Sequence, residues 1–410
     1  MFKRLTPEKS VQYFLFFLTF VAFSEVLQMQ LKFIPEKIFN LLEIGSFMLM
    51  SLIVFRITND FKDYVSYFYV IVALYFLYDT IIFFRGFELT VNSFKKFVQT
   101  DYPFWPIAIP LMVFLSKKDE VIMTLLKGIY TLCLIFYGLT VLDPKLITSR
   151  ITAEPYIHAF VFPSGLLLMN ARYLSKKKTW VVLGAILISV LSFTYLARRN
   201  AIVSYGGFLA FGLFFWFKSL SLPKFVKTLP IIAIVVASAV FAYDYIPPSL
   251  TAKLNERLNE DTRSDLFDNF FRAMEDHMVF GKGMNGKYYS PIDEMETEDG
   301  VRFDEVTNRD VIENGYLQLL LNGGIVYISL FVLFLLPASI LGFFFTKNQF
   351  TQACAAIILL WMIDMFIFGL PRLTLEYIMV WVAAGICYKK DYRRKTNVEI
   401  QESFENYGLA

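Results

Sequence analysis

Histidine and cysteine are nearly missing from this 410-residue chain, which has two of the first and three of the second. Cys133, Cys354 and Cys387 all fall in apolar runs without paired spacing, so neither a disulfide framework nor a thiolate metal site is expected. His158 sits in an apolar run and His277 in a polar one, which leaves no multi-histidine metal centre. The apolar stretches lack strand-period alternation, which argues against an outer-membrane barrel. No internal repeat and no low-complexity tract is visible. Charge of either sign is nearly balanced, the net value being +3. That value indicates little about partners, and nucleic acid is not expected among them.

What the chain has is apolar surface. It is 56% hydrophobic and carries 45 phenylalanines and 23 tyrosines, more than the interior of a soluble protein of this size would hold. Apolar stretches of about twenty residues recur, the length that crosses about 30 Å of hydrocarbon. The composition therefore predicts an all-α polytopic integral membrane protein. A basic start (Lys3, Arg4, Lys9) precedes the apolar run from Val11 to Leu27. No small-residue cleavage pattern follows, so the run reads as a retained first helix.

Spans are expected near 11–28, 38–56, 64–84, 102–116, 120–142, 156–172, 179–196, 201–217, 225–243, 322–345, 350–370 and 373–388, about twelve in all. The fourth is short and holds Pro103, Pro106 and Pro110; if it does not cross, every later side inverts. With the N-terminus inside, the inner segments are "RITNDFK", "SKKDE", "RYLSKKK", "KSLSLPK", "FFTKN" and the tail "YKKDYRRK". They hold roughly twice the Lys and Arg of the short outer loops, as the positive-inside rule requires. Both termini are then cytoplasmic. The resulting organisation is residues 1–243 with nine spans, 244–313 as one large outer loop, 314–388 with an outer half-helix and three spans, and 389–410 as an inner tail.

Under this topology Arg198 and Arg199, in "FTYLARRNAIVSYGGF", face outward, where the charge rule supplies no reason for them. The outer loop is polar and acidic. In its first part Leu254, Leu258, Leu266, Phe267, Phe270, Phe271 and Met274 recur at helical spacing, which predicts a helix lying on the membrane domain or at its surface. Arg263 and Arg272 are on that stretch, and Gly281, Gly283 and Gly286 follow, a run whose backbone amides could approach an anion. At the loop's far end "RDVIENGYLQLLLNGGIVYISLF" predicts a short half-helix broken by Gly323 and Gly324 before a full span. Its positive N-terminal end could face an anionic group.

Each feature also has a structural reading. Asp310 with Glu313 fits a capping box. The glycines could be plain turns, Arg263 and Arg272 solvated charges, and Arg198 and Arg199 snorkelling anchors, since Arg85, Lys95, Lys96 and Arg150 are outward too. Six charges fall within spans (Glu25, Glu43, Asp79, Lys127, Asp364, Glu376) and are costly unless paired or wet. They suit structural pairs or a transporter.

The order of parts gives more than each part alone. An outward arginine at the head of the eighth span, a long outer loop with "RSDLF" and "RAMEDHMVFGKG", and then "ENGYLQLLLNGGIVYISLFVLFL" together resemble the O-antigen polymerase/ligase superfamily. The resemblance covers about residues 193–345, and the N-terminal half only by hydropathy. Arg272 to Gly283 also matches an Arg-x10-Gly spacing of the polymerases. In the family's motif a histidine commonly precedes the asparagine; here Glu313 precedes Asn314, a departure that favours the polymerase (Wzy-type) branch over the ligase.

The resemblance implies a bacterial inner-membrane enzyme whose outer loop is periplasmic. Its substrate would be an oligosaccharide repeat carried on undecaprenyl pyrophosphate. Arg198 or Arg199, with Arg263 or Arg272 and with Gly281, Gly283 and Asn314, would bind the pyrophosphate, and Glu313 would orient or deprotonate the acceptor hydroxyl. No metal or cofactor is required of that scheme. Membrane lipid, a polysaccharide co-polymerase and a flippase would be further partners. Ligation of finished polymer to lipid A–core, and transport of a lipid-linked oligosaccharide, stand as the alternatives.

Overall fold

The computed structural model describes residues 13, 16, 17, 20, 36–57, 64–86, 109–149, 152–196, 198–219, 264–289, 308–309, 312, 314–366 and 374–410. The expected span 225–243, and nearly all of 11–28, lie outside the described residues. In a bilayer an apolar segment must satisfy its own backbone, and almost every described element is helical. In chain order these are α1 (Glu36–Ile57), α2 (Ser66–Gly86), a 3₁₀ segment (Ile109–Lys117), α3 (Asp119–Leu142), α4 (Lys145–Thr148), α5 (Ala153–Phe160) and α6 (Ser164–Met169). A 3₁₀ turn (Ala171–Tyr173) leads to α7 (Lys176–Tyr195), α8 (Arg199–Ser219) and α9 (Ser264–Met274). Then come α10 (Gly315–Phe344), α11 (Gln349–Asp364), α12 (Leu375–Tyr388), α13 (Lys390–Arg394) and α14 (Asn397–Asn406). One antiparallel ladder, Tyr288–Tyr289 with Asn308–Arg309, is the strand structure among the described residues.

Five described helices are long and apolar enough to cross a membrane, namely those at Ser66–Arg85, Asp119–Leu142, Lys176–Tyr195, Ala201–Lys218 and Gly315–Phe344. The chain is a polytopic helical membrane protein. At its centre α12 is buried along its whole length and packs against the 3₁₀ segment, α10 and α11. Gly385 allows the closest of these approaches, since a Cβ there would lie 2.3 Å from the Val113 carbonyl oxygen. The 3₁₀ segment, which holds the described part (109–116) of the expected fourth span, is thus mostly core and covers about 18 Å at the 3₁₀ rise.

One expected span differs. The stretch 156–172 is not a single helix but α5 and α6, separated by a turn at residues 161–163. Pro163 has no N–H to continue the helical ladder. Residues 161–170 are all buried, so this irregular backbone is shielded by protein rather than lipid, which is where a membrane tolerates it. Phe208 of α8 fills the space over Gly165, where a Cβ would be 2.6 Å from the ring.

The bundle has two distinct ends. At one, Lys389 Nζ donates to the Lys117 carbonyl at 2.6 Å, and Lys178 Nζ to that of Gly408 at 2.7 Å. Lys395 pairs with Asp119. Asn348 Nδ2 donates to the carbonyls of Tyr392 and Lys395 at 2.6 and 2.9 Å, and Lys218 Nζ to Gln352 Oε1 at 3.0 Å. These are the segments the charge rule groups on one side, and the C-terminal tail ties them together.

At the other end α10 breaks. Gly324 has φ 69° and ψ −167°, so residues 315–323 form a separate half-helix before the long span. A break leaves carbonyls orphaned on one side and N–H groups on the other. Residues 278–283, in the loop that follows α9, satisfy both. Lys282 N–H donates to Leu321 O at 2.7 Å and Gly283 N–H to Asn322 O at 2.9 Å, while Ile325 and Val326 N–H donate to Met278 and Val279 carbonyls at 2.8 and 3.3 Å. Tyr78 Oη donates to Gly323 O at 2.6 Å. Arg85 secures the loop in turn, its guanidinium donating to the carbonyls of Phe280 at 2.6 Å and Gly281 at 2.9 Å. On α9, Phe270 and Met274 are buried with Tyr288, Ile312, Leu320 and Leu321, which holds the amphipathic helix against the half-helix.

Candidate functional site

The half-helix and the head of α8 meet at the same end of the bundle through the last residues of α11. Asn314 caps the half-helix, its Oδ1 accepting from Leu317 N–H at 3.0 Å. Its Nδ2 donates to the Phe366 carbonyl at 2.7 Å. Gly315 N–H donates to Met365 O at 2.8 Å, and Tyr316 Oη to Met362 O at 2.8 Å. A cap of this kind is worth about 1 kcal/mol. Here it also fixes the half-helix to α11.

Asp364, the last residue of α11, accepts a hydrogen bond from Ser204 Oγ of α8. Six residues before Ser204, Arg198 immediately precedes α8. Its backbone N–H donates to Phe193 O at 2.8 Å, and its Nε lies 3.3 Å from Glu154 Oε2 of α5. Four residues along α5, on the same face, His158 Nδ1 lies 3.2 Å from Glu376 Oε2. Glu376 is in the first turn of α12, which Thr374 caps by accepting from Tyr377 N–H at 3.3 Å. Tyr205 Oη donates to Ile157 O at 3.3 Å and braces α5 against α8.

The sequence-derived candidates fall as follows. Arg198 is half-buried and ion-paired with Glu154. Arg199 begins α8, and its side chain lies outside the described residues, as do Arg263 and Glu313. Asn314 is at the junction described above. Arg272 is exposed in the last turn of α9. Gly281 and Gly283 have φ of 66° and 85° and are buried. The Gly283 N–H donates to Asn322 O at the half-helix break and the Gly281 N–H to His277 O within the loop, so neither is a bare amide. Beside them, partial burial lowers the Lys282 ammonium below its ordinary range, and its Nζ donates to Lys287 O at 3.0 Å.

Sequence reasoning singled out Asp364 and Glu376 only as isolated charges within spans, and His158 as a lone histidine. Their partners come from elements roughly 160 to 220 positions away. The one local signal was the Glu154/His158 spacing on a single helical face. Together the groups give a cation, Arg198, held on the Glu154 carboxylate, an imidazole held on the Glu376 carboxylate, and the Asp364 carboxylate held by Ser204. Such a set suits an anionic leaving group and a proton in transit.

No curated protein matches the chain. Residues 183–332 match the family model described as O-antigen ligase. That segment runs from α7 through α8 and α9 to the half-helix, its break and the start of the long span. The match supports the O-antigen polymerase/ligase superfamily, the family these residues resemble.

Proposed function

We propose that this protein is a bacterial inner-membrane glycosyltransferase that polymerises oligosaccharide repeat units carried on undecaprenyl pyrophosphate. About twelve spans, cytoplasmic termini and a periplasmic site go with that reading. The observation that carries it is the family match, which covers the Arg198–Arg199 turn, the outer loop and the half-helix at Asn314.

In the reaction a hydroxyl of the acceptor repeat attacks the anomeric carbon of the donor, and lipid pyrophosphate leaves. Negative charge grows on the leaving oxygen. Cations fixed beside it favour the transition state over the ground state. Arginine fits because its planar fork grips phosphate and stays charged. Arg198 or Arg199, with Arg263 or Arg272, takes that role, and Asn314 caps the half-helix, whose N-terminal end carries a positive dipole. Glu313 orients or deprotonates the attacking hydroxyl. The polyprenyl tail is the reason for a site at the lipid–water boundary.

Ligation of finished polymer to lipid A–core is the second reading, favoured by the description of the matched family model and disfavoured by Glu313 in place of a histidine. Deletion in the native host separates the readings by the glycan each leaves. Loss of a polymerase leaves single repeats on the acceptor, loss of a ligase leaves polymer on the carrier lipid, and loss of a transporter leaves single lipid-linked repeats inside. A ladder of normal length in the deletion strain rejects polymerisation.

Sidedness has its own test. Cys133, Cys354 and Cys387 are buried, so the wild type should react little with an impermeant thiol reagent. Asn200→Cys should label from outside intact spheroplasts. Labelling only after lysis would place the arginine turn in the cytoplasm.

A further inference from the structure

Of the charges within spans, Asp364 and Glu376 find partners in the fold, whereas Asp79 on α2 finds none among the described residues. Asp79 is 1% exposed, and both of its carboxylate oxygens are buried without a hydrogen bond. Its neighbours along α2 are engaged at the break of α10. Tyr78 holds the Gly323 carbonyl, and the Ile82 carbonyl accepts from Met284 N–H at 3.2 Å. Arg85, the one cation of α2, is committed to the carbonyls of Phe280 and Gly281.

Three helices meet around this carboxylate. Among the described residues the ionisable groups that face it are Tyr75 from α2 itself, Tyr327 from α10 and Tyr377 from α12, with no cation among them. Tyr75 Oη donates to Tyr327 Oη at 3.3 Å, and the Tyr327 hydroxyl faces Asp79 without reaching hydrogen-bond geometry. Tyr377 Oη and Trp381 Nε1 face each other in the same way, both buried and both without a hydrogen bond. The Tyr75 ring lies 5.6 Å from those of Tyr327 and Trp381, and the Tyr377 ring 6.1 Å from that of Trp381.

Two observations point to a ligand. A carboxylate sealed inside a membrane domain is very costly unless its charge is paired, and no described side chain pairs this one. Polar atoms of α12 at the same cluster are also unsatisfied, although buried polar atoms are nearly always bonded. The chemistry of the groups sets the class. Their acceptors are hard oxygens, which suit alkali ions and protons rather than soft metals. One carboxylate neutralises one unit of charge, so a divalent ion would leave an uncompensated buried charge. A tyrosine hydroxyl can turn either its hydrogen or a lone pair inward, and so serves the carboxylate or its counter-ion.

We propose that Asp79, with the hydroxyls of Tyr75, Tyr327 and Tyr377, holds a small monovalent cation, Na⁺ or a proton, that joins α2 to α10 and α12 beside the helix break. The cation neutralises the carboxylate and lets the three helices pack closed around it. Without it a bare carboxylate draws water into the seam between α2 and α10. Tyr78, Ile82 and Arg85 brace the break and the 278–283 loop from that same stretch of α2, so the brace loosens as the cation leaves. The site is separate from the candidate pyrophosphate groups and stands whether the protein polymerises, ligates or transports.

The test melts purified full-length protein in detergent through two series at constant ionic strength. In one, NaCl replaces choline chloride at pH 8; in the other, pH falls from 8.5 to 6 in choline chloride alone. A cation that binds the folded protein raises its melting temperature as its concentration rises, and wild type should gain about 3 °C or more in one series. Asp79→Asn is neutral without a cation and should lose that gain, so the two proteins diverge as Na⁺ or acid increases. Tyr327→Phe removes one hydroxyl and should need about fivefold more of the same cation for half the gain. Divergence in the first series assigns Na⁺, and in the second a proton. Wild type and Asp79→Asn moving in parallel through both series overturns the site. If Asp79→Asn gives no folded protein, Tyr327→Phe decides, and a half-point equal to that of wild type overturns the site as well.

Discussion

Glu313→Ala should produce wild-type amounts of protein in the membrane and a surface glycan that stops at single repeats. A general base contributes about 10²–10⁴-fold, enough to bring polymer below detection on a gel. Arg199→Ala should give the same result for a different reason. It removes a cation from the leaving pyrophosphate, where charge appears only as the bond breaks. The two variants differ in what restores them. Arg199→Lys keeps the charge but loses the planar fork and should recover only part of the activity, while Glu313→Asp should fall short because its carboxylate is one carbon nearer the backbone. Complementing the deletion strain with each variant and comparing glycan length with immunoblotted protein checks both. Full-length polymer from the two alanine variants would dismiss this site.

Gly324→Ala should lower the yield of folded protein more than any other single glycine change at this end of the bundle. A φ of 69° with ψ −167° is a conformation nearly restricted to glycine and costs other residues about 1–3 kcal/mol. The added Cβ would also lie 2.2 Å from Val279 O and 2.5 Å from Phe280 N, both backbone atoms. Relief would require residues 278–283 to withdraw, which breaks the hydrogen bonds on both sides of the helix break. Gly281→Ala should behave similarly, since its Cβ would meet Gly323 N at 2.5 Å. Gly138→Ala is the control, being helical with no atom within 4 Å of a Cβ, and should be neutral or slightly stabilising. Size-exclusion of detergent extracts reads out the amount of monodisperse protein. Equal yields for Gly324→Ala and Gly138→Ala would show that the break is not braced by the loop.

Both predictions concern the segment from Arg198 to Gly324, and they differ in how much of it was legible beforehand. The glycine pair at 323–324 and the half-helix before it could be read from "GYLQLLLNGG", because a helix break needs residues that tolerate unusual backbone angles and those have a local signature. The glycines at 281 and 283 have the same local signature and suggested an anion cradle. Folding instead places them against the broken end of α10, because the freed carbonyls there need donors and the loop supplies them. No pattern within the loop distinguishes the two uses. Arg85 shows the same limit. It looked like one of several stray outer cations, and it is the anchor of residues 280 and 281, nearly two hundred positions away.

By itself the sequence determined the helical membrane class, the positions of most described spans, the grouping of basic segments and the resemblance carried by the outer loop and half-helix. These depend on hydropathy, charge and residue order, which are properties of short stretches. Only the tertiary structure decided that span 156–172 is two buried pieces around Pro163, that Glu154 takes Arg198, that His158 meets Glu376, and that Ser204 donates to Asp364. The reason is that a charge within a span is tolerated according to what faces it, and what faces it comes from helices far away in the chain.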